Sequence, residues 1–120
     1  MNWLLVMLGG ALGSGARYGV GLALPRAGFP WATLAVNVSG GLAMGLLIGV
    51  LARGGGQEAW RLFLGVGFLG GFTTFSSFAL DAVTLAERGA GGLAALYVLG
   101  SLAGAIGGVA AGLALAKGFA

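Results

Sequence analysis

The chain has 120 residues, 58% of them hydrophobic and 8% charged, and its mean hydropathy is +1.01. So little polar surface cannot cover a water-soluble core, and the sequence reads as an integral membrane protein. The formal net charge is +3, but Arg17, Arg26, Arg53, Arg61, Arg88 and Lys117 stand singly, which argues against a nucleic-acid partner, and the lack of cysteine and histidine excludes disulfide, zinc-thiolate and imidazole chemistry.

A bilayer-spanning helix needs about 20 mostly apolar residues. Four windows meet that need, at roughly 2–24, 31–52, 61–86 and 90–116. The expected fold is therefore an all-α membrane protein of four transmembrane helices in a single domain over 1–120. The first window has no basic stretch before it and no convincing small-residue cleavage site, so it is expected to stay as a helix instead of being removed as a signal peptide.

A loop containing Pro25, Arg26, Gly28 and Pro30 leads into the second window. Asn37 sits seven residues in, and Gly41, Gly45 and Gly49 follow at i+4 spacing, a small-residue stripe that lets helix backbones approach closely. An amide at that depth must find partners inside the protein, either by tying helices together or by facing a pore.

The third window, after a loop over 53–58, contains GFLGGFTTFSSFALD at 67–81. Each glycine costs about 1 kcal/mol of helix propensity relative to alanine, and threonine costs somewhat less. Gly70 to Thr74 is accordingly the weakest helical point, and the third helix is predicted to break there. A break frees carbonyls on one half-helix and amides on the other, and at membrane depth each needs a partner, so such breaks often mark ion sites. Carbonyls freed at Gly70 or Thr73 suit a small hard cation, whereas nearby amides and hydroxyls suit an anion. The residues alone leave the sign of the ion open. Phe75 and Phe78, three apart, share one face; ordinary packing accounts for them, or their electropositive ring edges solvate an anion weakly enough to release it.

The fourth window follows Glu87, Arg88 and Gly89 and carries Gly100, Gly104, Gly108 and Gly112, with Tyr97 and Ser101 one turn apart on a shared face. Four thin helices are not expected to bury both glycine stripes and also enclose a polar pathway, so a second copy of the chain is the expected partner. An even number of spans places Arg53, Arg61 and Lys117 on one side and Arg17, Arg26 and Arg88 on the other. Three against three gives no positive-inside bias, and insertion in both directions follows as the expectation.

Three segments, GGALGSGARY at 9–18, PWATLAVNVSGGLAMG at 30–45 and GFLGGFTTFSSFALD at 67–81, resemble the bacterial fluoride channel family, known as Fluc or CrcB, over nearly the whole chain. The resemblance implies a fluoride-selective channel in the inner (plasma) membrane that passively exports fluoride from the cytoplasm and relieves its toxicity. It also implies an antiparallel dual-topology homodimer with two pores, and a central structural sodium ion held by backbone oxygens of Gly70 and Thr73 from each subunit. Carried over residue by residue, Asn37 would donate to fluoride, Phe75 and Phe78 would line the pore, and Thr74, Tyr97 and Ser101 would extend a polar track. Arg17 would form an electropositive vestibule. Two positions depart from the family's usual pattern: Ala32 stands where glycine is usual, with no effect expected on conduction, and Asp81 where glutamate is usual, which shortens a side chain near the track.

The rival from another class is a proton-coupled exporter of the small multidrug resistance type, which uses a glutamate in its first helix. Here the first window has no acid, and Asp81 is the one carboxylate expected inside the membrane. A purely structural assembly subunit would account for the glycine stripes but not for the break. Without histidine, cysteine or paired carboxylates, nothing suggests an enzyme.

Overall fold

The computed structural model describes residues 1–55 and 57–118; Gly56, in the second expected loop, lies outside the described residues. Helix α1 spans Asn2–Ala23 and α2 spans Trp31–Arg53. The third helix is divided: α3a runs through Glu58–Trp60, Arg61–Leu69 and Gly70–Phe72, and α3b is Phe75–Glu87. Helix α4 spans Gly91–Lys117. The third helix begins three residues before its expected start, and its interruption at Thr73 and Thr74 falls inside the stretch of weakest propensity.

Among the described residues, three segments are long and apolar enough to cross a membrane: Trp31–Arg53, Glu58–Glu87 and Gly91–Lys117. The chain is thus a multi-pass integral membrane protein. Helix α1 has 22 residues, a length of about 33 Å, and carries one charged residue, Arg17.

Glycines set the packing. A Cβ at Gly9 or Gly13 would run into the carbonyls of Phe63 or Phe68, and one at Gly71 would lie 3.1 Å from the Cα of Gly10, so α1 and α3a pack backbone to backbone. Helices α2 and α4 do the same: Gly41 and Gly45 face the backbone at Ala105 and Val109, and Gly108 and Gly112 face that at Val38 and Leu42. Close approach of this kind multiplies dispersion contacts where lipid offers no hydrophobic drive. The two stripes therefore largely bury each other within one chain and, against expectation, need no second copy to cover them. Gly100 is the exception, facing open space.

Between Arg61 and Leu69 the helix is wider than standard, with bonds of the i→i+5 type; the Gly70 N–H, for instance, reaches the Gly65 carbonyl. Nothing in the sequence reading anticipated this. Such widened turns are uncommon and concentrate near functional sites. Helix α3b ends with Gly89 at φ +79°, a left-handed turn that costs glycine little, and the Ala90 N–H closes onto the Leu85 carbonyl at 3.0 Å. Arg53 donates to the Ala116 carbonyl beside Lys117, while Arg26 and Arg88 line one small cavity.

Between α3b and α4 a small core gathers Phe78, Leu85, Ala94 and Tyr97. Phe29 of the first loop stands edge-on to Tyr97, with ring centroids 5.5 Å apart at 90°.

Candidate ion-binding groove at the helix break

Two consecutive threonines carry the chain across the break. Their β-branched side chains favour extended backbone, which Thr73 (φ −86°, ψ 157°) and Thr74 (φ −150°, ψ 120°) both adopt. Each also closes a half-helix. The Thr73 N–H and Oγ1 both donate to the Leu69 carbonyl, at 3.0 and 2.8 Å. Thr74 caps α3b, its Oγ1 accepting from the Ser77 N–H at 3.1 Å.

Side chains from two other helices complete the break. The Asn37 Nδ2 donates to the Thr74 carbonyl at 2.9 Å, and its Oδ1 accepts from the Thr74 N–H at 2.7 Å. Arg17 of α1 donates from Nε to the Gly71 carbonyl at 3.0 Å, where the carbonyl end of α3a's dipole favours a cation. Side chains thus occupy the carbonyls of Leu69, Gly71 and Thr74. The carbonyls of Gly70 and Thr73 have no side-chain partner among the described residues.

Beside the break lies an open groove of about 360 Å³. Its walls include Asn37, Thr73, Thr74, Phe75, Phe78 and Ser101, six of the residues singled out in the sequence, together with Met44 and the apolar face of α4 at Leu102, Ala105, Ile106 and Val109. The rings of Phe75 and Phe78 sit 5.5 Å apart at 47°. Phe78 is 8% exposed and belongs to the core, whereas Phe75 is 77% exposed. Ser101 is 4% exposed, and its Oγ is the one buried side-chain polar atom without a hydrogen-bond partner among the described residues. Native structures rarely leave such a group unsatisfied without a reason.

The other expected residues lie elsewhere. Tyr97 is buried against Phe78, with centroids 5.3 Å apart, and its hydroxyl donates to Asp81 Oδ2 at 3.0 Å. Asp81 also lines the cavity of about 80 Å³ that holds Arg26, Thr84 and Arg88. Arg17 lines a cavity of about 340 Å³ with Ser14, Tyr18, Arg26, Ala32, Thr33 and Ser77, a hollow with two guanidinium groups and no carboxylate among its lining residues. Thr74 lines both this hollow and the groove, and Gly70 lines neither.

Sequence reasoning missed Arg26 as a wall of two cavities, since only its position in a loop was visible. It also missed the bond from Tyr97 to Asp81, although 16 residues between a buried phenol and an intramembrane acid offered a hint. Chemically, the groove is walled by neutral polar residues and aromatic rings, with no charged side chain among its lining residues.

A family model described as CrcB-like protein, Camphor Resistance (CrcB), matches residues 4–113. A fluoride-specific ion channel FluC of Methylobacterium nodulans is 56% identical over 122 residues, covering 99% of this chain and 98% of its own. The FluC proteins of Sphingopyxis alaskensis and Rhodopseudomonas palustris are 56% and 54% identical, each over 98% of this chain and over 97% and 98% of their own lengths. Matched by the family model over all but its two ends, and more than half identical to full-length relatives, the chain belongs to the CrcB-like family.

Proposed function

We infer that this chain is a fluoride-specific ion channel of the bacterial inner membrane and not an enzyme. The observation that carries the reading is the groove at the break, where Phe75, Phe78 and Ser101, whose buried hydroxyl has no partner, come together, in a chain closely similar to proteins named for fluoride conduction. Anions gather in the hollow beside Arg17 and Arg26, pass Thr74, and enter the groove. There the ring edges and the Ser101 hydroxyl replace water, and the absence of a full positive charge lets the ion leave. The relief of fluoride toxicity follows, since hydrogen fluoride enters as a neutral acid and the anion leaves through the channel down the electrical gradient. Proton-coupled export fits less well, because Asp81 is bonded to Tyr97 and does not line the groove.

The finer assembly belongs to the same proposal. One membrane unit of four spans, α1 being the fourth, pairs with an inverted copy; the evenly divided basic residues and the exposed ring of Phe75 support this. A structural sodium ion would use the carbonyls of Gly70 and Thr73. One chain offers only two such oxygens, fewer than a hard cation takes, so a second copy supplies the rest.

Purified protein in liposomes is expected to release fluoride and retain chloride, as followed with ion-selective electrodes. Equal release of both ions, or of neither, refutes the reading. Phe75→Ile is expected to slow fluoride release about tenfold, the scale of one lost aromatic interaction. Because Phe75 is exposed within the chain, the same variant should unfold in denaturing detergent within about 0.5 kcal/mol of the parent.

A further inference from the structure

We propose that Arg17, besides the charge it brings to the hollow, acts on conduction as a positioning residue for the break of the third helix, through its hydrogen bond to the Gly71 carbonyl. Its Nε, the nitrogen nearest the backbone, holds the Gly71 carbonyl at 3.0 Å. Gly71 stands two residues before Thr73, and the backbone at Gly71 is pressed against α1 at Gly10 and Ser14. Arg17 therefore fixes the last turn of α3a from the side of α1, as Asn37 fixes Thr74 from the side of α2. Between these two anchors lie Phe72 and Thr73, and immediately after them Thr74 and Phe75 enter the groove. If the Gly71 carbonyl were released, the final turn of α3a would lose its tether, and the Thr73 and Thr74 walls of the groove would lose their fixed position.

Side-chain chemistry separates this role from anion attraction. In glutamine the amide nitrogen is the same number of bonds from the backbone as Nε in arginine, so Arg17→Gln keeps a donor at that point and removes the charge. Arg17→Met has similar reach, no donor and no charge. The proposal rests on the fluoride-channel reading only for its flux measurement; hydrogen exchange over residues 70–78 reports on the break independently of any ion.

Both variants are compared with the parent chain, each first checked for a single assembled species by size-exclusion chromatography. Arg17→Gln is expected to leave exchange unchanged and to lose only the part of fluoride efflux that the charge in the hollow supports, about threefold, whereas Arg17→Met lowers efflux about tenfold or more and speeds exchange at the break, the further loss expected for one hydrogen bond. Faster exchange in Arg17→Met but not in Arg17→Gln, with efflux lower in Arg17→Met than in Arg17→Gln, upholds the proposal. It is overturned if Arg17→Met loses no more efflux than Arg17→Gln, or if exchange is unchanged in Arg17→Met or equally fast in both variants. Should the parent chain itself pass no fluoride, the channel reading fails, and the exchange comparison still decides whether Arg17 holds the break.

Discussion

Asn37→Leu is expected to abolish fluoride efflux and to destabilise the chain by about 2–6 kcal/mol, since it strips both partners from the Thr74 backbone and each orphaned group costs about 1–3 kcal/mol. In the membrane no bulk water replaces them, which places the expected value toward the upper end. Asn37→Asp provides the graded comparison: a carboxylate still accepts the Thr74 N–H but can no longer donate to the Thr74 carbonyl. Its loss should therefore exceed that of a surface change and fall short of the leucine variant. Unfolding in mixed detergent micelles measures both, and a leucine variant as stable as the parent would show that the pairing contributes nothing.

The second large effect is a change of sign between two glycines. At Gly45 a Cβ would strike the Val109 carbonyl and approach the Leu113 nitrogen at 3.0 Å, both backbone atoms that cannot rotate away. At Gly107 it would meet nothing within 4 Å. Gly45→Ala is thus expected to force α2 and α4 apart and cost about 1–3 kcal/mol or more. Gly107→Ala should instead stabilise by about 0.4–1 kcal/mol through reduced freedom of the unfolded chain. Equal effects at the two sites, in the same unfolding assay, would contradict the interlocked packing of these helices.

Much of this architecture is legible in the sequence because it depends on local properties. Runs of apolar residues bound the helices, and the low propensity of Gly70 to Thr74 locates the break to within a few positions. The spacing of Gly41, Gly45 and Gly49 shows that something packs closely on α2. What that something is depends on three-dimensional pairing, and the stripe at Gly104, Gly108 and Gly112 was hidden as a partner because 60 or so residues separate the two, a distance over which periodicity carries no pairing information. For the same reason the residues announced Asn37 and Arg17 as polar groups needing partners but not that the partners were backbone atoms 37 and 54 positions away. The widened turns of α3a have no compositional signature that separates them from an ordinary helix.

The lining of the groove has a consequence for how the protein responds to its surroundings. None of its wall residues, from Asn37 through Phe78 to Val109, carries a group that gains or loses a proton in the physiological range. Acidification therefore changes no charge on the groove's own wall and acts instead on the permeant species, by changing how much of it exists as the anion. The wall is blind to acidity, and the supply of ions is what senses it.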